Sequence, residues 1–394
     1  MICVETQHFN LTRIILLAIG LWPNEKSKFR KFQAILCFGV LISFVIFQLT
    51  ALTIAKCTAD YIKIFSSATF FSIAIFSYNM FWINGHHLKN IMKQLQYFCN
   101  ELKDENEVAI FKKYGHYFRQ CTIIFILLGI CWMFIITLLP IWPQIFGSVF
   151  YINESQLQSQ TIQIMTEYFI DQEKYFYLIL LHTNAAFCIG VTTWLGMGTM
   201  IIGWFIHICG MLTITSYRVE QIMTTKMSKN INLKNQIMIY NKKIFYAVEI
   251  HYKIMKICEH TCSNFKYSIL LLLICTVSSL SLNLFGIFRN ASLGDNEAIL
   301  FHLLCSFALF LYLFVANYIG QEIINHNNHV YFTAYNSQWY NASLHAQKMI
   351  LFILLRSSKA CNLNVGIFVA SLECFASLIK TSVSYFTVMY SLEE

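Results

Sequence analysis

The chain has 394 residues, of which 57% fall in the apolar set that includes Tyr and 12% are charged, with a formal net charge of +8. Soluble domains carry about 25% charged residues, which excludes an ordinary cytosolic enzyme. With 35 Phe, 3 Pro and 15 Gly, disorder and collagen-like repeats are excluded too. Lipid is the solvent that suits such a chain.

Taken in order, the first apolar run, Arg13–Pro23, is too short to cross a bilayer. It lacks a basic leader and a small-residue cleavage site, so residues 1–31 are expected to form a cytoplasmic N-terminal segment with an interfacial helix. Stretches free of Asp, Glu, Lys, Arg and His then occupy 32–55, 64–85, 120–153, 183–206, 267–288 and 303–321. About 20 apolar residues at ~1.5 Å each cross a ~30 Å hydrocarbon core. Six transmembrane helices are therefore expected near 32–55, 62–84, 120–139, 175–210, 266–288 and 298–318. The third stops near 139 because Pro140 and Pro143 each remove a helical hydrogen bond, leaving 140–174 outside the bilayer. The fourth pattern runs from Tyr175 to Tyr217, more than one crossing needs, and its surplus is expected to project into the cytosol. After a cytoplasmic segment at 319–365, a seventh span is expected over 366–390, interrupted by Glu373 and Lys380. A charge in mid-membrane costs ~2.5–3.5 kcal/mol on insertion scales and tends to face protein or water, so this helix is expected inside an assembly. The fold class is an all-α membrane protein with seven transmembrane helices.

Lys and Arg set the orientation, because positive residues are retained on the cytoplasmic side. Residues 1–31 carry five (Arg13, Lys26, Lys28, Arg30, Lys31), the 86–119 loop six and the 211–264 loop eight, against Lys56 and Lys63, Lys174, and Arg289 in the alternating loops. The N-terminus is expected in the cytosol and, after seven crossings, the C-terminus outside. Two N-x-[ST] sequons, at Asn153 and Asn290, fall in exterior loops, whereas those at Asn10 and Asn341 fall inside. Of 14 Cys, only Cys57 lies in a short outer loop, so extracellular bridges are not expected. The positive charge faces an anionic leaflet and requires no nucleic acid.

Few residues invite chemistry. Cys258, His260 and Cys262 put two thiols at i and i+4 of a helix, but spacing suggests no fourth ligand, so no metal site is expected. His326 with His329, and His86 with His87, read as capping and loop residues. Phosphate-loop, zinc-protease, serine-hydrolase and dinucleotide motifs are missing, and neither an enzyme nor a cofactor is expected. A G-protein-coupled receptor would place its N-terminus outside and kink its later helices with Pro, whereas this chain has no Pro after Pro143. A transporter would show paired midplane charges or broken helices in two matching halves, and no internal repeat is visible.

The C-terminal fifth carries distinctive motifs: Gly320-Gln321-Glu322, Tyr335-Asn336-Ser337-Gln338-Trp339-Tyr340, Ser371-Leu372-Glu373-Cys374-Phe375 and Lys380-Thr381-Ser382-Val383-Ser384-Tyr385-Phe386-Thr387. With Gly20-Leu21-Trp22-Pro23 near the start, they resemble the signature of insect odorant receptors, most closely the cysteine-containing subfamily of ants, bees and wasps. The resemblance implies the ligand-binding subunit of an odorant-gated, non-selective cation channel. In that family the subunit joins an olfactory coreceptor in a hetero-tetramer, in the plasma membrane of olfactory sensory neurons. It implies a hydrophobic gate at Val388 and Leu392, with Ser391 where the coreceptor carries Gln. It also implies an odorant pocket in the outer half of the second, third, fourth and sixth spans. The residues expected there are Phe65, Thr69 and Ser72; Gly129, Trp132 and Ile136; Tyr177, Leu181 and Asn184; and Phe301 and Cys305. Gustatory receptors, related in structure, typically close on Gln-Phe, unlike Ser391-Leu392.

Overall fold

The computed structural model describes residues 8–23, 27–55, 58–138, 164–172, 174–224, 233–358, 364–365 and 368–392. Their helices are α1 (Asn10–Ala18), α2 (Lys28–Thr50), α3 (Thr58–Ile83), α4 (Gly85–Glu101), α5 (Glu105–Leu138), α6 (Phe176–Thr224), α7 (Leu233–Leu293), α8 (Asn296–Asn336), α9 (Leu344–Ser358) and α10 (Leu372–Ser391). Among the described residues the strands amount to one antiparallel pair just before α10, with Asn364 opposite Val369 and Val365 opposite Phe368.

Six helices, α2, α3, α5, α6, α7 and α8, are long and apolar enough to cross a membrane. The seventh, α10, has 20 residues, about 30 Å of helix, and is more polar. Several of its hydroxyls are satisfied within the helix: Thr381, Ser382 and Ser384 donate to the carbonyls of Ser377, Leu378 and Lys380. That local bonding removes the penalty an unpaired hydroxyl would pay in lipid.

The long inner loops expected from the sequence are instead helical. The 86–119 stretch forms α4 and the start of α5, and of the 211–264 stretch residues 211–224 complete α6 and 233–264 open α7, a helix of 61 residues. His326 and His329 sit within α8, not in a loop. Charge-free windows measure contact with lipid, not helicity, so they miss helical turns that leave the bilayer and find polar partners. Glu107 on α5 receives both Nε and Nη2 of Arg218 on α6 at 2.5 and 2.7 Å, with the carboxylate buried. The Tyr114 hydroxyl meets Thr213 Oγ1 and His326 Nε2, each at 2.8 Å, tying α5, α6 and α8 together. Asn327 donates to the carbonyl of Ser357 at 2.9 Å and lies 3.4 Å from His251 Nε2, joining α8, α9 and α7.

Helix α6 runs through the centre, and three of its glycines explain how. Gly196, Gly203 and Gly210 recur every seven residues, and a Cβ at each would lie within about 3.1 Å of Leu16, Phe118 and Tyr114 respectively. A helix of 3.6 residues per turn brings such positions back to one face, so α1 and α5 seat side chains directly on the α6 backbone. The described part of the N-terminal segment, residues 8–23, accordingly packs against the bundle. Phe9, Thr12 and Leu16 are fully buried, and His8 stacks on His207 with ring centroids 4.9 Å apart. Burial lowers the His8 pKa, because desolvation disfavours the charged ring. Gly20, at φ +75°, has no room for a side chain, since a Cβ there would lie 2.9 Å from the Arg30 carbonyl oxygen, and the Tyr78 hydroxyl is shared between the carbonyls of Ile19 and Ala34.

Asn290, expected in an exterior loop, lies in the last turns of α7, 2% exposed, and its amide donates to the Gly286 carbonyl at 2.7 Å. A glycan would have to break that bond, so this sequon is closed in the folded chain. Asn153 and Cys57 lie outside the described residues.

Candidate functional site

Helices α5 and α8 both pack on α6 but scarcely on each other. The cleft left between them, closed at the back by α6, encloses about 260 Å³. From α5 it is lined by Gly129 and Trp132, from α6 by Trp194 and Gly198, and from α8 by Leu311 and Tyr312, among other apolar groups. Glycine at 129 gives the Leu195 side chain room behind Trp132, since a Cβ there would sit 2.5 Å from the Leu195 methyl and displace it. At 198 the situation is reversed: a Cβ would meet nothing within 4 Å, so this glycine opens onto empty space. The rim residues Leu128 and Phe307 are exposed, so the cavity faces sideways, toward the position of lipid.

The polar groups in this wall are few. Among the described residues the Tyr312 hydroxyl has no protein partner, and the indole N–H groups of Trp132 and Trp194 are buried and unpaired. Thr199 spends its hydroxyl on the carbonyl of Leu195 at 2.7 Å. An apolar enclosure with one or two convergent polar atoms binds small molecules through shape and fixes their orientation through the polar contact. Its volume lies just under the ~300–1,000 Å³ of sites for drug-sized ligands, which suits something smaller.

Of the residues expected to form a pocket, Gly129 and Trp132 lie together in this wall. The others do not join them. Phe65, Tyr177 and Leu181 point outward, with Tyr177 78% exposed, while Ile136, Phe301 and Cys305 are buried in helix packing. Thr69 and Ser72 turn their hydroxyls onto the carbonyls of Phe65 and Ala68, and Asn184 is half-buried outside the cavity. The cavity sits two to four turns deeper along α6 and α8 than counting from the loop ends suggests, because the end of the bundle is already filled. There Tyr168 stacks on Phe47 with centroids 4.2 Å apart and bonds His182 at 2.7 Å, and His182 also contacts Ser43 at 3.1 Å. Helix α3 contributes Phe70, Phe71 and Ala74, which flank Trp132 and Trp194 in a narrow adjoining crevice. The seven-residue glycine repeat of α6 was the available signal for the central helix.

Helix α8 also touches α10. On its other face Phe310 and Phe314 meet Phe375 edge-on at 5.2 and 5.5 Å, and the Asn317 amide oxygen accepts from the backbone N–H of Ser371 at 3.3 Å. Gly320 is needed here, since a Cβ would lie 2.3 Å from the Ala370 carbonyl oxygen. Ser371 caps α10 by accepting from the Cys374 N–H at 3.2 Å. At the far end of α10, Val388 and Leu392 are exposed on the single chain, and Ser391 bonds back to the Val388 carbonyl at 3.0 Å. Cys258 and Cys262 are buried, and His260 instead pairs with His87 across α4 and α7.

The chain is similar to Odorant receptor 22c of Drosophila melanogaster, with 23% identity over 187 residues, 47% of this chain and 46% of that one, so it spans about half the length of the curated relative it matches. In fold it is similar to the insect olfactory receptor OR5 from Machilis hrabei in complex with eugenol, at a TM-score of 0.81 and 18% identity over 99% of this chain and 98% of that one. The same receptor without that description of a ligand gives a TM-score of 0.78 and 17% identity, covering 97% of each. The 7tm Odorant receptor family matches residues 58–383, most of the described bundle, and the chain belongs to that family.

Proposed function

We propose that the protein is an odorant receptor: the ligand-binding subunit of an odorant-gated, non-selective cation channel that assembles with an olfactory coreceptor as a hetero-tetramer. It acts in the plasma membrane of olfactory sensory neurons, with its N-terminus in the cytosol and its C-terminus outside. The observation that carries this reading is that one helix, α8, walls the cavity with Leu311 and Tyr312 and touches α10 with Phe310, Phe314 and Asn317.

The ligand is a small, largely apolar molecule that reaches the cleft between Leu128 and Phe307 from the bilayer. Its apolar body packs on Trp132 and Trp194, and an oxygen meets the Tyr312 hydroxyl. Filling the cleft presses α8 away from α5, and the rigid edge-on contacts with Phe375 carry that shift into α10. A ligand drives such a change only by binding one arrangement better than the other, and a cleft whose two walls hardly touch each other offers that difference. The exposed face of α10 with Val388 and Leu392 lines the pore, where an apolar ring blocks ions by dewetting. The likeness to a receptor solved with eugenol supports the ligand class, and the family supports the channel. Co-expression with the coreceptor, with currents recorded while volatiles are applied, tests the proposal. Ligand-dependent currents are expected, and silence across a broad panel despite confirmed surface delivery overturns it.

A further inference from the structure

A second cavity, of about 390 Å³, lies between α4 and α7, outside the cleft described above. These two helices scarcely pack against each other, and the space between them has an apolar floor of Ile91, Phe98 and Ile257 under a polar rim. Two lysines stand on that rim. Lys253 lies 2.7 Å from Glu249 and over the Tyr97 ring at 5.3 Å, whereas Lys256 has no protein partner among the described residues. At the other end the Asn264 amide contacts His87 Nδ1 at 3.2 Å and His260 Nδ1 at 2.9 Å, holding the two rings 5.0 Å apart. Burial, with His260 and His86 nearby, lowers the His87 pKa, so this ring is a hydrogen-bonding group; Lys253 is already paired with Glu249, and Lys256 supplies the uncompensated charge. Asn90 and Gln94 add amides to the same wall.

We infer that this groove binds the phosphorylated polyol headgroup of a membrane lipid, a phosphoinositide. A single phosphate would leave most of the volume empty, whereas a sugar-sized ring uses it. Its hydroxyls match the amides and imidazoles, and its phosphates match Lys256 and, in exchange for Glu249, Lys253. Depth agrees. His87 follows the end of α3 at Ile83 by one turn, and Lys256 and His260 stand about 10–16 Å before the apolar stretch that begins at Tyr267. That is the level of a headgroup that protrudes beyond the ~5–8 Å interfacial layer. Basic pockets beside spanning helices bind such headgroups on the anionic, cytoplasmic side. The apolar floor favours a lipid over a free inositol phosphate, because it can receive the glycerol end. This inference is independent of the odorant reading but rests on the proposed orientation, which puts α4 and the start of α7 in the cytosol.

The test uses the full chain in nanodiscs of phosphatidylcholine, alone or with phosphatidylinositol 4,5-bisphosphate or phosphatidylserine, and reads retained lipid by native mass spectrometry. The phosphoinositide is expected to be retained at least tenfold over phosphatidylserine. Lys253→Gln with Lys256→Gln should abolish that preference, while Lys113→Gln on α5 should leave it intact. Thermal unfolding in pure phosphatidylcholine checks that the double variant is folded. Equal retention of both anionic lipids, or an unchanged preference in a folded double variant, overturns the site. Displacement of the lipid by soluble inositol trisphosphate at equal concentration overturns the assignment to a membrane lipid.

Discussion

Gly198 is the position where the cavity is most simply closed without disturbing anything else. A Cβ there meets no atom within 4 Å, and the residue lines the 260 Å³ cleft from the middle of α6. Gly198→Leu places four carbons in the space assigned to ligand. Each buried methylene is worth ~0.8 kcal/mol, so the ligand forfeits about 3 kcal/mol of contact, close to a hundredfold in affinity. Fold stability should move the other way, since Gly in a helix interior costs about 1 kcal/mol relative to Ala. The assay is a concentration–response curve for an agonist on the variant co-expressed with the coreceptor, paired with thermal unfolding of the purified chain. A right shift of about a hundredfold with an unchanged or raised melting temperature is expected. An unshifted curve would mean that ligand does not occupy this cleft, and a lowered melting temperature would mean that the space at 198 is not there.

Four other outcomes follow from the same geometry. Tyr312→Phe removes a single hydroxyl and should cost oxygen-bearing ligands about 1 kcal/mol, roughly fivefold, while leaving pure hydrocarbons unaffected in a ligand panel. Glu107→Gln strands the Arg218 charge and should destabilise the chain by about 3 kcal/mol; the double change to Leu and Met should recover most of that in detergent unfolding. Gly320→Val drives a side chain into the Ala370 carbonyl, so currents should fall at least tenfold while radioligand binding persists. Val388→Ala together with Leu392→Ala should raise the resting leak, read as holding current without ligand.

Six of the crossings were legible because each requires an uninterrupted apolar stretch, and 303–321 or 267–288 cannot be anything else in lipid. The ends of the helices were not, because Glu107, Arg218, His326 and Asn327 read as solvated residues until their partners on other helices are known. The same holds for the candidate cavity. Gly129 and Trp132 stand out locally, as a glycine beside the largest side chain. Tyr312, Trp194 and Gly198 look like any apolar turn of a spanning helix, and their convergence depends on α5 and α8 sharing α6 while scarcely packing on each other. The Gly320 and Ser371 motifs were visible as patterns, but their meaning, a helix seated on a bare backbone, is a tertiary fact.

The most direct measurement of the central claim is a cryo-electron microscopy map of the chain assembled with the coreceptor, with and without a bound agonist. Density for the agonist bounded by Trp132, Trp194 and Tyr312, with α10 displaced at Val388 relative to the ligand-free map, is the result this mechanism predicts. Agonist density elsewhere, or an agonist in that cleft with α8 and α10 unmoved in an open pore, would contradict it.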